Sequence, residues 1–421
     1  MRVCLFEDRS VADLEPLSLT RPAFDLLCGC SPLADKQLRA FEPAEVGAIV
    51  RPYLASLTQQ THDSWHVNDL AWLRAGPVVL VNARWLPGQA LDVGPAPCVG
   101  LVEDEIAYAV LTPSDLIECS PFTIDHFLRR WRNTLPTREA GGTVARYLWD
   151  LVEHNGEAIR DDIAWHRLTR SRKTAGLPVV VGSVDDLHAD PGARIDPLVV
   201  IDTTAGPVVI DRDAEIGPFS HLEGPCYIGA GTRIQGAKIR KGTSIGPACR
   251  IGGEVEASIV QGHTNKAHDG FLGHAFLGEW INLGAGTSNS DLRNDYGHVR
   301  VRVDGDLVET GRNKIGCYLG DHTKTGLGTL LNTGTRAGVF CNLLPSGGLL
   351  PRDIPSFGTA TNGRVTDGDD IAASLATADR VMRRRGRSLD EAHERLYRWL
   401  WAQAEQAAPR EQVGYRLRLG A

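Results

Sequence analysis

The chain has 421 residues, 42% hydrophobic and 23% charged, which excludes a disordered or fibrous protein and gives enough length for two cores. A formal net charge of -7 provides no long-range attraction to nucleic acid or to an anionic membrane, so neither is expected as a partner. Nine cysteines without a CxxC pair or metal-ligand spacing suit reduced thiols, and no apolar run approaches the ~18 residues that span a bilayer. The opening MRVCLFEDRS turns acidic where a signal peptide would stay apolar, which makes a cytoplasmic location the expectation.

Up to about residue 170, short β-rich runs alternate with helical periodicity. MRVCLF, PVVLVNARWL at 77–86 and CVGLVEDEIAYAVL at 98–111 read as strands, the last being a pair joined by a tight acidic turn. FTIDHFLRRWRNTL and GTVARYLWDLVEHNG carry apolar residues at helical spacing. That alternation predicts an α/β domain over 1–175, with a mixed or parallel sheet covered by helices. The Gly, Pro and Asp of the following stretch predict a linker over 176–197.

From about residue 198 the texture changes. Ile210, Ile216, Leu222, Ile228 and Ile234 fall six residues apart, and after a slip of one residue Ile239, Ile245 and Ile251 continue the step. Glycine often follows the aliphatic residue, as in Ile216-Gly217, Ile228-Gly229 and Ile245-Gly246. A period of six belongs to the hexapeptide repeat of a parallel β-helix, placed here at 198–360. In such a coil the aliphatic residue points inward, and glycine is expected to permit the tight corner. The hexads stop after LGAGT at 283–287 and resume at IGCYLG from 315. Within the gap, Asp304-Gly305-Asp306 between VRVRV and LVET predicts a hairpin, and a loop thrown out of a rigid solenoid is a place where sites are built. A helical tail is expected over 361–421, with Ser388-Leu389-Asp390-Glu391 as a capping box.

The stretch TNKAHDGFLGH at 264–274 sets a lysine and two histidines into this pattern, and three readings are open. The first is inert polar corners. The second is a zinc site, for which His263-x4-His268 has the local look of the gamma carbonic anhydrases, but the third ligand falls on Tyr227, and His221 and His322 are out of register. No metal is therefore assigned. The third is acyl transfer from a thioester such as acetyl-CoA: an attacking amine must lose a proton, which imidazole accepts near neutral pH, while glycine corners offer N–H groups to an oxyanion.

KAHDGFLGHAFLGEWINLGAGT at 266–287 resembles the acetyltransferase domain of the bifunctional N-acetylglucosamine-1-phosphate uridyltransferase/glucosamine-1-phosphate acetyltransferase family. That resemblance places the catalytic base on His268, with His274 left as a corner residue. It matches Lys266 to the family's substrate lysine, Arg240 to its phosphate-binding arginine, and Asn282, Asn294 and Tyr296 to residues orienting the acceptor. Leu19-Thr20-Arg21-Pro22, His268-Asp269-Gly270 and Asn282-Leu283-Gly284-Ala285 resemble the divergent GlmU-like sugar nucleotidyltransferases along nearly the whole chain. This implies a nucleotidyltransferase-like α/β domain joined to a left-handed β-helix, assembled as a homotrimer. The implied function is acyl transfer from acetyl-CoA to a phosphorylated or nucleotide-linked amino sugar, with nucleotidyl transfer as a second activity left open. The alternatives are a non-catalytic sugar-nucleotide-binding scaffold and a β-helix metalloenzyme. The family's glycine-rich loop is replaced by LEPLSLTRPAFDLLCGCSPLADK, where Arg21 and Lys36 are the cationic candidates for nucleotide binding. Its magnesium-binding Gly-Asp becomes Asn82-Ala83, so Mg2+ enters only with an active first domain, with Asp8, Asp13 or the Glu103-Asp104-Glu105 turn as substitutes.

Overall fold

The structure, a computed structural model, describes residues 1–88, 91–165, 178–345 and 347–406. The chain divides into two compact units: Met1–Leu14, Thr20–Leu26 and Ser31–Tyr147 form the first, and Glu15–Leu19, Leu27–Cys30 and everything from Leu148 onward form the second. Among the described residues no helix is long and apolar enough to cross a membrane.

In the first unit a seven-stranded mixed sheet runs in the order Thr137–Glu139, Cys98–Val102, Glu105–Leu111, Val78–Asn82, Arg2–Phe6, Glu45–Ile49, His66–Val67. Arg2–Phe6 pairs parallel with both neighbours, and its Val3-Cys4-Leu5-Phe6 run is buried on both faces, which is why it reads as continuously apolar. The expected hairpin at 98–111 is present as an antiparallel pair. The helix Ile124–Thr134 buries Ile124, Phe127, Leu128 and Trp131 against the sheet core.

The second unit is a parallel β-helix. Its faces are a six-stranded sheet from Val179–Val181 to Phe271–Gly273, a nine-stranded sheet from Leu187–Ala189 to Asp353–Ile354, and a five-stranded sheet from Arg194–Ile195 to Asn265–Lys266. Isolated bridges through Asn282 carry that last face on to Lys324. Every aliphatic residue of the hexad pattern, from Ile210 to Ile251, is at most 1% exposed. Ile195 pairs with Ile216, Ile216 with Ile234, Ile234 with Ile251 and Ile251 with Lys266, so successive coils shorten from 21 residues to 18, 17 and 15.

Three expectations are corrected. The segment 176–197 is not a linker in its described part, because Val179–Val181, Leu187–Ala189 and Arg194–Ile195 pair with the next coil and form the first turn of the solenoid. Nor does the first unit extend to 175: the helix Leu148–Trp165 belongs to the second unit, where Ile159 packs on Val209 and Tyr227, and buried Asn155 bonds Gly242 O at 2.9 Å and Ser244 Oγ at 3.0 Å. The glycines after the aliphatic residues serve coil-to-coil approach rather than corner φ, since a Cβ on Gly246 would lie 2.0 Å from Gln261 O. The left-handed corners are held largely by other residues, among them Ala248, His263, Trp280 and His274.

The insertion behaves as expected. Arg300–Val303 and Asp306–Glu309 form an antiparallel hairpin with positive φ at Asp304 and Gly305, and beyond it Tyr318 stacks in register on Phe276. The tail contains the helices Ile371–Arg383 and Glu391–Gln406. Asp390, not Ser388, caps the second, its carboxylate accepting from His393 N at 3.0 Å. This helix sets Tyr397 against an aromatic ladder of His322 and Phe340.

Candidate active site

Lys266 stands in register with Ile251, so its side chain occupies an interior position that isoleucine holds in the preceding coils. A buried ammonium needs acceptors for all three protons. Backbone carbonyls of Gly270 at 2.6 Å, Gly252 at 2.8 Å and His268 at 3.3 Å accept them. Burial pulls the Lys266 pKa down to about 8, against the opposing pull of Asp269 and Glu254. It is still an ammonium at neutral pH.

The interior cation therefore pins the backbone from residue 268 to 270, and His268 and Asp269 are exposed at the corner it fixes. Gly270 is required there twice over: its φ is +137°, and a Cβ would meet Thr287 O at 2.1 Å. Among the described residues no side chain hydrogen-bonds the His268 imidazole. Lys266, expected to bind substrate, is instead consumed by the carbonyls and acts as a positioning residue.

Arg240 is also not the free anion receptor that was expected. It donates to Glu223, and its Nε lies 3.0 Å from Glu254 Oε1, so two carboxylates on neighbouring coils hold it and raise its pKa, Glu254 foremost. An incoming phosphate would meet their repulsion. Asn282 is exposed, and its Oδ1 accepts from Asn265 Nδ2 at 3.3 Å. Asn294 and Tyr296 lie in the insertion, both exposed, with Asn313 Nδ2 donating to Tyr296 O at 2.6 Å. His263 stacks on Trp280 with centroids 4.2 Å apart, a packing role, and no cluster of three or more metal-capable side chains occurs among the described residues.

In the first unit the strand order reverses between Arg2–Phe6 and Val78–Asn82, the place where open α/β sheets bind ligands at the strands' carboxyl ends. Internal cations already fill it. Glu7 accepts from Arg51 Nη2 at 3.0 Å, Arg51 Nε at 3.1 Å and Ala23 N at 3.0 Å. Asp8 accepts from Arg84 Nη2 at 2.8 Å and Nε at 3.2 Å, and from Asn82 Nδ2 at 3.0 Å. Arg84, fully buried, also reaches Glu105 Oε2 at 3.2 Å and Ala145 O at 3.0 Å. A hard divalent ion would need those carboxylates, and the guanidinium already neutralises them. The residues do not fit Mg2+. Arg21 and Lys36, expected at a nucleotide, are both buried; Lys36 Nζ bonds Ser31 O and Oγ at 3.1 Å each, and Arg21 O accepts from Arg51.

Residues 3–173 match the family model described as sugar nucleotidyl transferase. A bifunctional sugar-1-phosphate nucleotidylyltransferase/acetyltransferase of Sulfurisphaera tokodaii is 34% identical over 152 residues, covering 35% of this chain and 38% of that protein. The bifunctional protein GlmU of Synechococcus elongatus is 35% identical over 126 residues, 30% of this chain and 23% of that one. Over these stretches the chain is similar to GlmU-type bifunctional proteins. It spans less than two fifths of the length of these curated relatives. A solved UDP-N-acetylglucosamine acyltransferase of Francisella novicida, 16% identical with a TM-score of 0.29, covers 48% of this chain and 73% of its own, a likeness too weak to add to the strand pairing.

Two features were not legible in the sequence. Arg84 was passed over because its partners at 8, 105 and 145 meet only in the folded sheet. His274 does sit at a left-handed corner, with φ +49°, but its Nδ1 lies 2.7 Å from Asp291 Oδ2. Burial works against the Asp291 carboxylate, yet the His274 bond holds its pKa below the ordinary value. The signal was the spacing of 17 residues, the coil length from Ile234 to Ile251.

Lys266 also sets a pH dependence. Its folded pKa lies below the ordinary 10.5, so between about pH 8 and 10.5 the unfolded lysine holds more of its proton and this group's contribution to stability rises with pH, against the buried thiols of Cys4, Cys119, Cys226, Cys249 and Cys317, whose raised pKa values act the other way. Lys324, also lowered to about 8 by burial, acts in the same window. Lys266→Met is expected to make the change in stability between pH 7.5 and 10 less favourable than in the wild type, read from urea unfolding curves at the two pH values; an identical change in both proteins would contradict the buried-ammonium description.

Proposed function

We propose that this chain transfers an acetyl or related acyl group from CoA to the amine of a phosphorylated or nucleotide-linked amino sugar. The observation that carries this reading is the corner itself: an exposed histidine on a backbone held by an interior lysine, in a β-helix of a GlmU-like chain. As the amine nitrogen forms its bond to the thioester carbonyl carbon, His268 accepts the amine proton, the carbon–sulfur bond breaks, and the proton passes to the departing CoA thiolate. Asn282 is read as a residue orienting the acceptor, Asn294 and Tyr296 as reaching it from the insertion, and the acting assembly as a cytoplasmic homotrimer.

The match of residues 3–173 favours a second activity, nucleotidyl transfer, but Arg84 at the strand ends opposes a magnesium-dependent form of it. The deciding experiment mixes the protein with acetyl-CoA and a panel of hexosamine phosphates and nucleotide-linked hexosamines, and titrates free thiol. Amino-sugar-dependent thiol release is expected. Binding of a nucleotide sugar with no thiol release from any acceptor would support the scaffold reading instead.

A further inference from the structure

A cavity of about 440 Å³ opens in the second unit, beside the helix Leu148–Trp165, the coil corner that carries His274, and the segment that closes the insertion. It is within the size range of small-molecule sites, about 300–1,000 Å³. None of the residues assigned so far to acyl transfer lines it.

Its lining is unusually cationic for a chain of net negative charge. Arg160, Lys241, Arg312 and Lys314 all line it, with Glu153 as the single acidic residue. Arg312 is paired with Glu153, Nε to Oε2 at 2.8 Å, and Lys314 with Glu256 at 3.2 Å. The other two have no carboxylate partner among the described residues: Arg160 donates to the carbonyls of Gly156 and Ala205 at 3.3 and 2.9 Å, and Lys241 is exposed. Two uncompensated positive charges therefore face one cavity.

Tyr318 supplies a separate observation. It lines the same cavity and is 1% exposed, yet its hydroxyl is buried with no hydrogen-bond partner among the described residues. Buried polar groups are nearly always satisfied, and an orphaned one costs about 1–3 kcal/mol. His274 lines the cavity too, with Nδ1 held by Asp291, which leaves its other ring nitrogen for a ligand.

We infer that this cavity binds the phosphate of a small phosphorylated molecule, with Arg160 and Lys241 neutralising its charge. The phosphate could belong to an acceptor sugar or to the CoA donor; the chemistry recognised is the same. The site is defined by binding alone and does not depend on the acyl-transfer reading.

The test is calorimetric titration of the full chain with glucose 1-phosphate, uridine diphosphate and coenzyme A in turn. At least one is expected to saturate, with affinity falling as salt rises. The Arg160→Gln/Lys241→Gln double variant should weaken that binding at least tenfold without loss of thermal stability. Saturation by coenzyme A alone would assign the phosphate to the donor, and saturation by either of the others to the acceptor side. Failure of all three probes to bind, or equal affinity in wild type and the double variant, would overturn the inference.

Discussion

His268→Ala is expected to lower acyl transfer by about 10²–10⁴-fold while leaving the fold intact. The rate effect follows from the role given to the imidazole, since without it the attacking amine has no positioned acceptor for its proton. The stability effect follows from the surroundings. His268 is exposed and its side chain makes no hydrogen bond among the described residues, so its loss should change unfolding by no more than about 0.5 kcal/mol. The carbonyl that Lys266 uses is backbone and survives the substitution. The measurement is kcat from thiol release, beside a thermal melt of the same variant. Undiminished turnover would move the base elsewhere, and His274, already oriented by Asp291, would be the next histidine to test.

The largest stability effect is expected at Arg84. Arg84→Met should cost the first unit about 3–5 kcal/mol, because it removes the buried guanidinium that neutralises Asp8 and Glu105 and leaves Asp8 with only the neutral donors Asn82 Nδ2 and Ser10 N. Asp8 would lose two charge-assisted bonds and Glu105 one, while Ala145 O would lose its donor. Arg84→Lys should recover only part of this, since an ammonium cannot bridge two carboxylates and a carbonyl in one plane as a guanidinium does. Urea denaturation followed by the fluorescence of Trp85 and Trp131, both buried in this unit, reads the change. A loss below about 1 kcal/mol would mean that the carboxylates find water or another cation, and that the strand ends are more open than described.

Much of the architecture was legible because a β-helix repeats one rule. Inward positions recur every six residues, so Ile210 through Ile251 announced the core, and Asp304-Gly305 announced the hairpin through its left-handed pair. The family match runs to residue 173, close to the expected 175, but the compact unit ends at Tyr147, because the helix Leu148–Trp165 packs on the solenoid. Which unit it covers depends on Ile159 meeting Val209 and Tyr227, about 50 and 68 residues on. The first coil was misread as a linker because Gly, Pro and Asp mark solenoid corners as readily as they mark loops.

The site was legible as a place but not as a division of labour. TNKAHDGFLGH stood out because its polar residues interrupt an aliphatic pattern, and period alone could not tell which of them turns inward. Lys266 does, because the coil that brings it back to Ile251 is only 15 residues long. The sequence by itself determined the β-helix, its inward residues, the insertion and the corner that carries His268. The tertiary structure alone decided that Lys266 holds that corner from inside, that Glu223 and Glu254 occupy Arg240, and that Arg84 occupies Asp8 and Glu105. The reason is physical: local periodicity fixes which way the regular hexad positions point, whereas an interruption such as Lys266 takes its direction from the coil length, and a charge is assigned to whichever partner the stacked coils or paired strands bring within about 3 Å.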